Sequence, residues 1–342
     1  MTKNYKVKLF GYHPSTLFVN GGGETMLMNT FMQLKDNNIN VELFDIWQRE
    51  SNFDIFHLFG SNGAVAEVYT ALAGADKKLV VSAIDYSNMS RFKLSLLKYI
   101  QKLSPLDNIY KQRQKLFDYA EVIIANSKAE KKFLLNYFNI NERKIEVIPV
   151  GVSSSFYEVD SKSFVEKYKV ENYILTVGRI SKRKQQIKII KTLKDIGLNL
   201  IFIGREDPSD LDYFIEFKKL VEEFENVHWI GQLDNDSLLL ASAYSNARVH
   251  VLPSDPPEFP GISSLEAAIS GTKVVTTKSP TVEETLLDYA FYCEPTAESI
   301  LKVTRSALES NPNEACKKHL YENYTWEKVT ERIINLYKKI SI

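Results

Sequence analysis

Glu258-Phe-Pro-Gly-Ile-Ser-Ser-Leu-Glu266 is the stretch from which the fold is read. It follows an apolar run, Arg248-Val-His-Val-Leu252, with the character of a buried parallel strand, and it opens a helix whose apolar spacing carries to about Ser270. Two carboxylates eight positions apart therefore straddle a strand-to-helix turn that contains Gly261. The first amides of such a helix point outward and carry the positive end of the helix dipole, so an anion, typically phosphate, is their natural ligand. A carboxylate on each side of a phosphate would repel it, which suits Glu258 and Glu266 to hydroxyl groups instead. Diols flanking a diphosphate describe a nucleotide-sugar, with ribose on one side and hexose on the other.

Outward from that turn, strand and helix alternate. In the same half, Tyr173–Val177, Asn199–Gly204, Val227–Ile230, Thr272–Thr277 and Ala290–Cys293 read as strands, with helices through Ile196 and over Ser209–Glu225, Ser237–Tyr244 and Ala297–Leu308. The first half repeats the pattern. Its strands fall at Lys6–Phe10, Asn40–Phe44, Phe53–Phe59, Lys78–Ile84, Glu121–Asn126 and Lys144–Pro149. Its helices fall at Thr25–Lys35, near Val65–Leu72 and at Lys128–Tyr137, with a long amphipathic segment, Phe92–Gln112, broken at Ser104-Pro105. This predicts an α/β protein of two Rossmann-like doubly wound domains facing a cleft, with ligands bound where the strands end. Pro149-Val-Gly-Val-Ser-Ser-Ser155 changes character and sets the boundary, giving 1–152 and 153–322 as the domains. The segment 323–342 is a closing helix with Val329, Ile333, Ile334 and Tyr337 on one face.

Bulk composition agrees with two soluble domains: 342 residues, 44% hydrophobic and 25% charged. The 43 basic and 43 acidic residues cancel, so no global case exists for nucleic acid. Cys293 and Cys316 are too few for a disulfide framework or a zinc site. No apolar run approaches the ~18 residues of a membrane span, and Met1–Phe10 alternates like a strand without a signal-peptide core. A cytoplasmic protein is expected.

Arg179 and Lys184 follow the first strand of the second half, in Val-Gly-Arg-Ile-Ser-Lys-Arg-Lys. Cations there can neutralise charge that grows as a diphosphate departs; the plain alternative is a solvated basic helix start, although cations at that end oppose the dipole. Asn20-Gly21-Gly22-Gly23-Glu24 lets backbone approach a ligand. It also lies where a dinucleotide fingerprint would, with Asp45 as the ribose acid, but Met26 takes the third glycine's place. A tight turn is the alternative. Asp85 ends a strand and can orient a sugar hydroxyl or an acceptor, or simply cap the next segment. His57 and His13, near strand ends or loops, could each serve as a base or an oxyanion partner but read better as structural. Asp234-Asn-Asp236 has the form of a metal site but precedes a helix, so capping explains it and no metal is expected. Ser87–Lys115 holds seven Lys/Arg against Asp107 alone, with Phe92, Leu96, Tyr99, Ile100 and Leu103 interleaved. It suits an anionic membrane surface or a solvated helix with one buried face.

Taken together these residues resemble the family 4 retaining glycosyltransferases of the GT-B fold, over nearly the whole chain. Glu258-x7-Glu266 with Ala267-Ala-Ile-Ser-Gly271 is similar to that family's signature, and Val177-Gly-Arg179 with Lys184 to its diphosphate-binding pair. Ala120–Ser127 through Ile145–Val152 resembles its interdomain run, and Thr325-Trp326-Glu327 the start of a helix that crosses back to the first domain.

The resemblance implies transfer of a sugar from a nucleotide donor, a UDP-sugar being favoured, with retained configuration and neither metal nor cofactor, the nucleotide-sugar being a substrate. Arg179, Lys184, Glu258 and Asp85 become the expected catalytic residues. Gly21, Gly22 and Gly23 close on the donor, and Phe259, Gly261, Ile262, Ser263 and Glu266 join Arg179, Lys184 and Glu258 in binding it. The resemblance assigns acceptor binding to the first domain, 1–152, and nucleotide-sugar binding to the second, 153–322; the acceptor is expected to be a glycan or lipid-linked glycan in bacterial surface polysaccharide synthesis, with peripheral contact on the inner membrane face. Four features depart from the family: Ile84 replaces its cleft histidine, Pro260 lacks an N–H, Ser279-Pro280-Thr281 stands where the family has Gly-Gly before its Pro-Glu, and Pro149-Val-Gly-Val-Ser153 stands for its Pro-Asn-Gly-Val-Asp. A non-catalytic partner or glycan-binding subunit, a nicotinamide-dependent oxidoreductase and an epimerase are the alternatives.

Overall fold

The computed structural model of the protein describes all residues except 1–4, 12–21, 49, 64, 88–90, 158, 160, 236, 260, 312, 313 and 342, and no side chain is described for residue 91. The chain divides into two compact units, Met1–Gly151 with Trp326–Ile342, and Val152–Thr325. Gly21 and His13 lie outside the described residues.

The first unit is built on six strands: β1 (Lys6–Gly11), β2 (Asn40–Leu43), β3 (Ile55–Phe59), β4 (Lys78–Ser82), β5 (Val122–Ala125) and β6 (Ile145–Val147). All pair in parallel, in the order β2-β1-β3-β4-β5-β6. β3 and β5 are buried along their whole length, which is why they read as continuous apolar runs rather than alternating ones. The sheet order reverses between β1 and β3, and the helix after β1, Gly22–Asp36, begins within the glycine triplet rather than at Thr25. Gly22 and Gly23 are therefore a helix's first turn, not a loop.

The final helix, Trp326–Ile340, packs with the first unit. Its buried stripe of Trp326, Val329, Ile333, Ile334, Leu336, Tyr337 and Ile340 follows helical spacing. Gly151 permits the entry, since a Cβ there would collide with the Trp326 indole. On β3, His57 is fully buried, with Nδ1 2.6 Å from Tyr337 Oη and Nε2 2.9 Å from Ser82 Oγ. Burial pushes its pKa down to about 3, so it is a neutral packing histidine.

The second unit carries β7 (Tyr173–Val177), β8 (Asn199–Ile203), β9 (Val227–Gly231), β10 (Val249–Leu252), β11 (Val274–Thr277) and β12 (Phe291–Cys293). They are parallel in the order β12-β11-β10-β7-β8-β9, with helices packed on both faces around separate apolar clusters. The first strand of this unit thus sits centrally, and the order reverses between β7 and β10. Loops leaving those two strands meet at the switch point, the place where open α/β sheets bind ligands. Three further helices, Ser163–Tyr168, Pro280–Leu286 and Glu314–Tyr324, join those the sequence pattern marks.

Candidate active site

Arg179 and Lys184 leave β7, and Glu258 lies between β10 and the helix Ile262–Ile269. The structure brings two of these together directly. Glu258 is 7% exposed, and its Oε1 accepts from Lys184 Nζ at 2.7 Å and Arg183 Nη1 at 2.9 Å, and from the Ser254 hydroxyl. The loops are also laced through backbone, because Asp255 N–H donates to the Arg183 carbonyl at 2.8 Å. Burial alone would push the Glu258 carboxyl up, but Lys184 and Arg183, helped by hydrogen bonds from Lys184 and Ser254, bring it below the usual carboxylate range. Burial pulls Lys184 the other way, below the ordinary lysine value, against the attraction of Glu258. The pair is therefore an ionised couple inside a wall of protein, and each partner depends on the other.

Arg179 takes a different partner. Its Nη1 lies 3.3 Å from Asp207 Oδ2 beyond β8, and its side chain is 40% exposed. Glu266, on the helix Ile262–Ile269, is 8% exposed and accepts from Tyr244 Oη at 2.7 Å. No side chain caps that helix. Its N-cap, Gly261, has φ +83°, and a Cβ there would sit 2.9 Å from Glu258 Cβ, so the turn demands glycine twice over. Ile262 and Ser263 occupy its first turn, Phe259 precedes it, and Pro260 lies outside the described residues. Ser264, fully buried in that turn, has a hydroxyl with no partner among the described residues.

Several contributors escape a reading of the sequence. Arg183 looks like part of a solvated basic run; the signal was three consecutive cations at a helix start, which need an anion. Ser279 and Thr281, in the stretch that departs from the family's Gly-Gly, donate to the Glu258 carbonyl at 3.3 and 3.4 Å and so fix its backbone. His250 on β10 is fully buried with neither ring nitrogen partnered among the described residues. Burial, with the nearby Lys184 charge, pushes it down to about 3. At Asp234-Asn-Asp236 the expected aspartate cap is corrected: Ser237 caps the helix Leu238–Ser245, donating its own N–H to the Asp234 carbonyl, and Asp236 lies outside the described residues. A serine hydroxyl reaches the third amide from the cap position, which Asp234, three residues earlier, does not occupy. Among the described residues no group of three or more His, Cys, Asp or Glu is placed to hold a metal.

The remaining expected residues, Asp85, Gly22 and Gly23, belong to the first unit. Asp85 is ion-paired to Arg113 rather than standing alone, and Gly23 lines the same pocket.

The family model for glycosyl transferases group 1 matches residues 160–335, the segment holding Arg179, Lys184, Glu258 and Glu266, and that for glycosyltransferase family 4 matches residues 32–156. The chain belongs to the group 1 glycosyl transferases. Among curated relatives, the O-antigen chain mannosyltransferase RfbU of Salmonella typhimurium is 27% identical over 197 residues, 56% of this chain and 52% of that protein. The uncharacterized glycosyltransferase MJ1607 of Methanocaldococcus jannaschii is 27% identical over 238 residues, 63% of this chain and 59% of its own length. The matches thus span little more than half of these curated relatives. Among solved structures, Anabaena Alr3699/HepE in complex with UDP superposes with TM-score 0.76 at 16% identity, over 98% of this chain and 100% of that one. Sucrose-phosphate synthase of Thermosynechococcus elongatus gives TM-score 0.78 at 15% identity, over 98% and 99%. At such identities the agreement shows the fold, two parallel six-stranded sheets with helices, of GT-B type.

Proposed function

We propose that the protein is a retaining glycosyltransferase that moves a sugar from a nucleotide-sugar, a UDP-sugar being favoured, to a glycan or lipid-linked glycan, without a metal or cofactor. The observation that carries this reading is the cationic pair Lys184 and Arg183 gathered on buried Glu258 at the strand-order switch, beside a helix start that no side chain caps. The uncapped amides and Lys184 hold the diphosphate, Arg179 reaches it from the same loop, and Glu258 and Glu266 take hydroxyls of the sugar and the ribose. In the transfer, the bond from the sugar's anomeric carbon to the diphosphate oxygen breaks as that carbon bonds the acceptor oxygen. The acceptor's proton passes to the departing diphosphate on the same face. Fixed positive charge at the leaving group strengthens its hold as the bond breaks, so it lowers the barrier rather than merely tightening binding.

Surface polysaccharide synthesis is supported by the O-antigen role of the Salmonella relative, and a uridine nucleotide by the UDP bound in the Anabaena structure. We also place the helix Arg91–Leu103 against an anionic membrane surface on the cytoplasmic side. Phe92, Tyr99, Ile100 and Leu103 are each more than half exposed while Leu94 and Leu97 pack inward, so apolar side chains stand on the solvent side among lysines. No described helix is long and apolar enough to cross a membrane. The test of the enzymatic reading is turnover of a nucleotide-sugar panel in EDTA by wild type and Arg179→Ala. An enzyme of this kind loses about 100-fold or more in rate when a key electrostatic group goes. A non-catalytic partner, the reading that Ile84 in place of the family histidine favours, shows no turnover in either and keeps its partner binding.

A further inference from the structure

Three consecutive cations, Lys182, Arg183 and Lys184, form the turn before the helix Gln186–Leu193, an end of a helix that disfavours positive charge. Buried Glu258 accounts for Arg183 and Lys184. Lys182 goes elsewhere: it lines a separate open groove of about 680 Å³ in the second unit, with Lys188 and Lys191 of that helix. Lys188 donates to the Pro295 carbonyl, a neutral partner, and neither its side chain nor that of Lys182 pairs with a carboxylate among the described residues. Lys191 has Glu216 at 2.9 Å, but both are more than half exposed, so that pair holds it weakly. Glu298 is the one acid in the described lining. Between the cations the wall is apolar, made by Ile187, Leu301 and the ring of Tyr213, whose Oη is fixed by accepting from the Ile187 N–H at 2.9 Å.

The groove and the candidate active site share one short piece of backbone. Gln185, also on the groove, has φ +61°, a region that favours glycine, yet it carries a long side chain whose Nε2 donates to the Lys182 carbonyl at 3.0 Å. Lys182 N–H donates to Asp210 Oδ2 at 3.1 Å. Fully buried Gln186 ties the turn from within, accepting from Ser181 N–H at 3.3 Å and donating to the Arg179 carbonyl at 2.8 Å. A contact at Lys182 and Gln185 is therefore felt at Arg183 and Lys184.

We propose that this groove is an effector site for a small phosphate monoester with a ring or apolar body, and that its occupancy tightens nucleotide-sugar binding through the shared turn. The cations are all lysines, compact charges that suit phosphate, and no described lining residue offers the arginine fork that suits a carboxylate. A phosphate monoester carries about −1.5 to −2 charge at pH 7, which matches three ammonium groups set against one carboxylate. The apolar wall takes the body of the ligand, and the volume is that of a small-molecule site. An anion on Lys182 restrains the turn in the shape that presents Arg183 and Lys184, so less ordering remains for the donor to impose. Repulsion between effector and donor works against this, but salt and water in an open groove screen it. The effect on the donor rests on the glycosyltransferase reading; the groove does not.

The experiment is calorimetric titration of the full chain with phenyl phosphate, AMP and inorganic phosphate, with and without UDP, and with phenyl glucoside and benzoate as neutral and carboxylate comparators. Phenyl phosphate or AMP should bind with UDP present, about tenfold or more tighter than either comparator. Lys182→Met and Lys188→Met should each weaken it about fivefold. Glu298→Gln, which removes the lining carboxylate, should tighten it about twofold, a gain that a damaged fold does not give. In turnover the bound ester should lower the donor KM about threefold in wild type and leave it unmoved in the Lys182→Met/Lys188→Met double variant. No binding, binding that UDP abolishes, inorganic phosphate bound as tightly as phenyl phosphate, affinity unchanged in both lysine variants, or a donor KM indifferent to the ester overturns the proposal. If nucleotide-sugars turn over while no ester binds beside UDP, the effector site falls alone. If UDP and nucleotide-sugars give no heat while the esters bind, the donor reading and its coupling fall and the site stands.

Discussion

Replacing Glu258 by glutamine removes one negative charge while keeping the side chain's shape and an acceptor for Ser254. Lys184 then has no counter-ion in a site where its own side chain is 16% exposed. Breaking a buried pair on one side costs about 3–5 kcal/mol. Two features hold the figure near the low end. Arg183, 39% exposed, adds no more than about 1 kcal/mol through its share of the pair. Lys184, already lowered by burial, can shed its proton rather than remain charged and alone. A loss of about 3 kcal/mol corresponds to a fall of about 6–12 °C in Tm for a unit of this size. Calorimetry or urea unfolding of Glu258→Gln, Lys184→Met and the double variant gives the coupling. The double should cost less than the sum of the singles by about 2 kcal/mol or more. Because the diphosphate of UDP can take the place of the lost carboxylate and hold Lys184 protonated beside Arg183, UDP should bind Glu258→Gln at least as tightly as wild type while sugar transfer falls about 100-fold or more. The pH dependence follows from the lowered carboxyl. Its contribution is present above the unfolded carboxylate value, is lost as pH falls through the folded one, and should be missing from the acid limb of Glu258→Gln. Strict additivity in the cycle, or an unchanged Tm in Glu258→Gln, would refute the reasoning.

Four further outcomes test other parts of the structure. Tyr337→Phe strips the partner from His57 Nδ1 and should cost about 1–3 kcal/mol without changing kcat. His57 itself, held near 3, should show no imidazole titration by NMR between pH 5 and 8, its share of stability waning only as pH drops below the unfolded histidine value. Gly151→Ala forces a methyl onto Trp326, and overpacking of this kind costs about 1–3 kcal/mol, visible as a lower Tm and earlier proteolysis at the final helix. Serine at Phe92 and Tyr99 should reduce co-sedimentation with phosphatidylglycerol vesicles while leaving the Tm unmoved; equal sedimentation of variant and wild type removes the membrane assignment.

The twelve strands are legible in the sequence because each is a short apolar or alternating run bounded by turn residues, and their alternation with helices points to parallel sheets. The short helices at Ser163–Tyr168 and Pro280–Leu286 are not, since one or two turns carry too little periodicity to stand out from loop. The site shows the same division. The carboxylates and cations stand out by type and spacing, but the pairing of Lys184 with Glu258 spans 74 positions and exists only because β7 and β10 are neighbours. Arg183 and Arg113 were hidden for one reason: each sits in a basic stretch that reads as solvated surface, and only the fold shows which cation turns inward. Ser279 and Thr281 look like a departure from the family, yet their hydroxyls hold the Glu258 carbonyl.

The central claim is that Lys184, Arg179, Glu258 and the amides from Gly261 onward grip a nucleotide-sugar. Isothermal titration of the full chain with UDP-, GDP- and ADP-sugars in EDTA addresses it most directly. Saturable one-to-one binding of at least one of them, abolished in Lys184→Met, is the expected result. Absence of heat and of any thermal stabilisation with all three would contradict it.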